Sequence, residues 1–120
     1  MKEGNYQDID ERTFKFAARV IKMTAFLPNN PAGWKISGQV IDSVTSVNSN
    51  IVQARAGVSK KDFVNHFRIA FKEAVETKRW LEMIVFNNFI PIERMHLLIG
   101  ENKEIISILV TIIKNSVKEK

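Results

Sequence analysis

The chain has 120 residues, 45% of them hydrophobic, 26% charged and none of them cysteine. That is enough for one domain with its own core. It excludes a disulfide framework or a thiolate metal site, which suits the cytoplasm. Lys and Arg outnumber Asp and Glu by 18 to 13, and the net charge of +5 favours polyanionic partners such as nucleic acid.

Residues 1–10 lack the apolar core of a signal peptide, and the longest apolar concentration, residues 105–113, is too short to span a bilayer. No membrane partner is expected. The charge is uneven: −2 over residues 1–10, +3 over 11–27, +1 over 28–59, +2 over 60–82 and +1 over 83–120. A flexible N-terminus over residues 1–9 is expected to precede one helical domain over residues 10–118.

Four segments of helical periodicity follow, separated by short punctuation. The first runs from Asp10, read as an N-cap, to Leu27, where Pro28, Asn29, Asn30 and Pro31 end it. Around a wheel at about 100° per residue, its apolar and small residues fill an arc of about 220°, twice what one core needs. The arc includes Phe14, Phe16, Ala18, Val20, Ile21, Met23 and Ala25. Such excess predicts a homo-oligomer. The rest of the wheel carries Arg12, Lys15, Arg19 and Lys22 at steps of three, four and three, broken only by Phe26.

Asn30 and Pro31 form a cap and first-turn pair for the second helix, which runs to Gly57. Over residues 36–54 its only ionisable side chain is Asp42, so much of its surface is expected to be covered. Val40, Val44, Val47, Ile51, Ala54 and Val58 form a seam with steps of four and three. Ser43, Ser46, Asn50 and Gln53 form a polar row suited to hydrogen bonds across a tight helix contact. A sharper reading makes this row a ligand or RNA-edge reader.

Ser59, Lys60, Lys61 and Asp62 resemble a capping box, with Asp in place of Glu, opening a third helix that runs to Asn87 or Asn88. Its seam is Phe63, Phe67, Ala70, Ala74, Thr77, Leu81 and Ile84. The fourth helix starts at Pro91 and runs to Val117, with Gly100 inside it at a cost of about 1 kcal/mol relative to Ala. Its seam is Ile92, Met95, Ile99, Asn102, Ile106, Leu109 and Ile113. A strand over the β-branched residues 105–113 is the competing reading, but it would have no partner strand. Short connections predict an all-α, antiparallel up-down-up-down four-helix bundle.

The order Gly38-Gln39-Val40, Ser43, residues 46–51, Gln53-Ala54, residues 60–63, Ile69-Ala70, residues 72–74, Glu76-Thr77 and Trp80-Leu81 resembles a bacterial family. These are the four-helix bundle proteins encoded in intervening sequences of large-subunit ribosomal RNA genes. Residues 12–17, Ile108-Leu109 and residues 112–114 extend the resemblance over nearly the whole chain. It implies a ring-shaped homopentamer without established enzymatic activity. A related branch, the accessory proteins of diversity-generating retroelements, forms basic pentamers that work with a reverse transcriptase, which implies an RNA or DNA partner by analogy. Asp42 stands where the family usually has Arg, and Gln53 where Glu is usual. Losing both charges puts any role of that pair in doubt and explains the neutrality of this helix.

The leading candidate surface is Arg12, Lys15, Arg19 and Lys22, which could follow a phosphate backbone. A merely solvated face is the plainer reading. The third helix adds Arg68, Lys72 and Arg79 to a nucleic-acid surface, with Lys61 at compatible spacing, although Glu73, Glu76 and Glu82 offer ion pairs such as Lys72 with Glu76 and Lys78 with Glu82. Glu93 and His96 make half of a di-iron motif whose other half is missing, so no metal or other cofactor is expected. His66 reads as a surface or interface residue, and Trp34 and Trp80 as packing anchors. No phosphate-cradling glycine loop, nucleophile elbow or catalytic triad is present. Function therefore rests on binding, either of nucleic acid or of a protein partner by a scaffold.

Overall fold

The computed structural model describes residues 3–118, with side chains described from Ile9 onward. Four helices pack around one core: α1 (Glu3–Met23), α2 (Pro31–Arg55), α3 (Lys60–Phe86) and α4 (Ile92–Lys118). No strand occurs among the described residues, and residues 105–113 are helical.

Helix α1 begins before its expected start. The flexible segment expected over residues 1–9 lies partly outside the described residues, but the backbone is helical from Glu3. Asp10 therefore sits inside the helix and uses its side chain elsewhere. It accepts from Asn48 Nδ2 at 3.0 Å and from Arg55 Nη1 at 2.8 Å, tying α1 to α2. The helix also stops sooner, at Met23, and a 3-10 turn over Thr24–Phe26 completes the segment. Pro28 explains the stop, since the residue before proline is driven to extended backbone. Leu27 has ψ 154°.

Two of the three predicted N-caps form. Asn30 Oδ1 accepts from Gly33 N at 3.0 Å with Pro31 in the first turn, and Ser59 Oγ accepts from Asp62 N at 3.0 Å. Each supplies an acceptor for one of the donors that a helix start leaves unsatisfied. Helix α3 ends at Phe86, and Asn88 then adopts φ 59°, the left-handed turn that lets Phe89 N reach back to Ile84 O.

Two of the three seams are as predicted in the main, and the third is displaced. Val40, Val44, Val47, Ile51 and Ala54 are buried, as are Phe67, Ala70, Ala74, Thr77, Leu81 and Ile84. Val58 is 97% exposed because α2 ends at Arg55, which leaves Val58 in the connection. In α4 the buried set is Met95, Leu98, Asn102, Ile105, Leu109, Ile112 and Ser116. Ile99, Ile106 and Ile113 are half-buried at its edge, and Ile92 is exposed. That helix is apolar on all sides over residues 105–113, so periodicity alone could not choose its centre.

Candidate nucleic-acid interface

Packing sorts α1 into three strips. Ile9, Thr13, Phe16, Ala17, Val20 and Met23 face the core. Asn48 of α2 also donates to Thr13 Oγ1 at 3.0 Å, which fixes the rotation of α1 on α2. Phe14 (65% exposed), Ala18, Ile21 (43%) and Ala25 form a second, exposed strip that nothing among the described residues covers. The third strip is the basic one.

Only part of that basic strip is free. Arg12 is clamped to α4: its Nε donates to Glu101 Oε2 at 2.7 Å, and its Nη2 to Glu101 Oε1 at 2.9 Å and Glu104 Oε1 at 2.7 Å. Its forked geometry suits a carboxylate, and here it serves the α1–α4 contact. Lys15 pairs with Glu11 at 2.8 Å. Arg19 and Lys22 are exposed and form no ion pair among the described residues.

The clamp has a pH signature. Hydrogen bonds from Arg12 hold the Glu101 carboxyl below its ordinary value near 4.5, against an opposing push from burial. A carboxylate depressed by folding contributes stability above its unfolded value and loses it as pH falls through the folded one. We expect Arg12→Gln to cost about 1 kcal/mol at neutral pH. We also expect it to flatten the loss of stability below about pH 4.5, measured by urea unfolding across pH. An unchanged acid profile would show that the clamp is not coupled to folding.

Helix α3 holds the less occupied cations. Lys61, Arg68 and Lys72 are exposed and form no ion pair among the described residues. Arg79 lies 3.5 Å from Glu82, which also takes Lys78 at 4.0 Å. The expected pair of Lys72 with Glu76 is not formed. Glu76 Oε2 instead accepts from Trp80 Nε1 at 3.4 Å. Burial, and then the charge of Glu76, raise the Glu73 carboxyl above its ordinary value, with Lys72 opposing.

The polar row of α2 works inside the fold. Ser43 and Thr77 hydroxyls lie 2.8 Å apart across α2 and α3, and Thr77 donates to Glu73 O at 2.9 Å. Asn50 Nδ2 donates to Ser46 O, and Asn50 Oδ1 lies 3.1 Å from His66 Nδ1 of α3. Ser46 is half-buried and accepts from Asn50 through its hydroxyl. Gln53 is exposed and, among the described residues, bonds only to Ser49 of its own helix, so the contact row ends at Asn50. These groups are satisfied within the chain, which leaves little for an RNA edge.

Trp80 is half-buried against the core, whereas Trp34 is 61% exposed with its Nε1 on Asn29 Oδ1 at 2.9 Å. Trp34 is thus no core anchor, because the start of α2 turns it outward. Glu93 and His96 are both exposed, and His96 Nδ1 lies 3.1 Å from Glu93 O. Among the described residues no three His, Asp or Glu side chains gather as metal ligands. Sequence reasoning missed Arg94, whose guanidinium stacks 4.5 Å above the Phe26 ring. It also missed an open groove of about 680 Å³ between the start of α3 and the end of α4, with Lys60, Lys61, Arg68 and Ser116 among its lining.

These features define a small all-α protein with basic outer surfaces and an uncovered apolar strip, and with no helix long and apolar enough to cross a membrane among the described residues. The chain belongs to the family described as 23S rRNA-intervening sequence protein, which it matches over residues 6–111. It is also similar to a crystal structure from Bacteroides thetaiotaomicron, a protein of unknown function from the S23 ribosomal protein family. The two are 33% identical, with a TM-score of 0.85 over 92% of this chain and 98% of the other. No curated protein matches. Neither the family description nor that structure carries a catalytic indication.

Proposed function

We propose that this protein is a non-enzymatic, self-assembling cytoplasmic helical module that holds nucleic acid against a basic surface. The observation that carries the binding half is the row of Lys61, Arg68 and Lys72 on the outward side of α3, cations that form no ion pair among the described residues. Cations without carboxylate partners are free to replace the counterions of a phosphate backbone. The assembly half rests on Phe14 and Ile21, exposed on α1 beside Ala18 and Ala25. Val52 and Trp34 add exposed apolar area on α2. A contiguous apolar strip rimmed by charge is the usual mark of a protein interface.

The pairings Ser43 with Thr77 and Asn50 with His66 support reading α2 and α3 as antiparallel within an up-down-up-down bundle. A ring of such bundles, with the pentamer implied by family resemblance as its stoichiometry, would repeat each basic surface around its circumference and raise the local field.

Binding of RNA and DNA oligonucleotides, measured by fluorescence anisotropy against salt, tests the first half. Affinity is expected to fall steeply as salt rises, by about 0.9 in log–log slope per phosphate contact on a duplex. Absence of binding at low salt would remove the nucleic-acid reading and leave a protein-interaction scaffold in its place.

A further inference from the structure

The cations of α3 are joined by a second row that comes from α4. Hydrogen bonds fix the rotation of both helices. Thr77 and His66 turn one flank of α3 toward α2, and Asn102 Nδ2 of α4 donates to Ala74 O of α3 at 3.2 Å. Glu101 and Glu104 turn the other flank of α4 toward Arg12 of α1.

With those directions set, the wheel at about 100° per residue places Lys61, Arg68, Lys72 and Arg79 within about 40° of one another, on the side of α3 away from the core. Lys103 and Lys114, about three turns apart, fall on the outward side of α4, turned about 30–50° from directly outward toward α3. All are exposed. The α3 row is about 27 Å long at 1.5 Å per residue, and packed helices lie about 8–10 Å apart. Glu82, beside Arg79, and the exposed Glu76, one turn from Lys72, are carboxylates that border the α3 row. The α1–α4 face, by contrast, sets Glu11, Glu101 and Glu104 among its cations.

One aromatic ring stands at the end of the array and none within it. Phe63, Phe71 and Trp80 are half-buried against the core, while the exposed Phe86 continues the line of the row about 10 Å beyond Arg79. Proteins that grip single strands do so with aromatic platforms on which bases stack. A double helix needs none, because pairing already holds its phosphates in fixed rows.

We propose that the face shared by α3 and α4 is a phosphate-backbone site for a nucleic-acid double helix, with Lys61, Arg68, Lys72 and Arg79 from one helix and Lys103 and Lys114 from the other. This rests on the nucleic-acid reading above and adds the location, the α4 residues and the class of ligand. Duplex RNA and duplex DNA share the recognised chemistry, so both belong in the test.

The experiment compares duplex RNA, duplex DNA and one single strand of matched sequence against the full chain and two variants, Lys103→Gln/Lys114→Gln and Arg19→Gln/Lys22→Gln. Glutamine keeps helix propensity, and circular dichroism checks the fold. Both duplexes are expected to bind more tightly than the single strand. The α4 variant is expected to lose roughly tenfold in duplex affinity and about 1.8 in log–log salt slope per copy, for two lost contacts. The α1 variant, with the same charge removed, is expected to lose less. A single strand bound as well as the duplexes overturns the duplex assignment, and a preference for one duplex over the other identifies its source. Loss in the α1 variant with the α4 variant unchanged overturns the location. In both cases nucleic-acid binding itself survives, whereas no binding by the full chain at low salt removes the parent reading and this one with it.

Discussion

Replacing Phe14 and Ile21 together by glutamine is expected to turn an assembled protein into folded single chains. Both side chains stand outside the core, so the substitutions leave the packing of Phe16, Val20 and Met23 intact. They remove apolar area from the strip that would be covered on association. Burying a large apolar side chain is worth about 1.5–3 kcal/mol, so the pair represents about 3–6 kcal/mol per interface, or roughly 100- to 20,000-fold in dissociation constant. Light scattering at micromolar concentration reads the result directly. A variant that keeps the parental assembled mass would place the interface elsewhere, and a parental protein already at the mass of one chain would remove self-assembly altogether.

Phe67→Ala is expected to have the largest effect on stability. Phe67 is fully buried on α3, with its ring centroid 4.8 Å from that of Phe63. Truncation leaves a cavity between elements that are already close-packed, at a cost of about 3–5 kcal/mol. At about 4 °C per kcal/mol for a domain of this size, the melting temperature should fall by about 12–20 °C. The paired substitution Ser43→Ala with Thr77→Val provides the contrast. It removes both hydroxyls of a buried hydrogen bond together, leaves no unsatisfied group, and should cost less than about 1 kcal/mol. A loss as large as that of Phe67→Ala would mean that the α2–α3 contact depends on its polar row more than on its packing.

Local chemistry accounts for what was legible in the amino-acid sequence. Asn30 and Ser59 cap their helices as expected because a cap needs only the next three residues. The α2 and α3 seams were legible because polar residues flank them. The α4 seam was displaced because β-branched and aliphatic residues surround that helix, and only its neighbours choose which of them to bury. The start of α1 was misplaced for a related reason: Asp10 has the chemistry of a cap, but Asn48 and Arg55, distant in the chain, claim its carboxylate.

The candidate site was less legible than the fold. Arg12, Lys15, Arg19 and Lys22 look uninterrupted along α1, yet Glu101 and Glu104 reach Arg12 from α4. The cations of α3 look well supplied with carboxylates, yet Glu76 turns to Trp80 and burial withdraws Glu73. Lys103 and Lys114 carry no signal in their own segment, since their charge joins that of α3 only through packing.

By itself, then, the amino-acid sequence determined four helices, most of the caps, two of the core seams, the excess of apolar surface on α1 and the family. These follow from contacts within a few residues or from the order of residues along the chain. Tertiary structure alone decided which cations are free, which carboxylates consume the others, and which two helices combine their charge on one face. Ion pairs and surface fields depend on distance in space, and Arg12 meets Glu101 only after the fold has brought the two helices together.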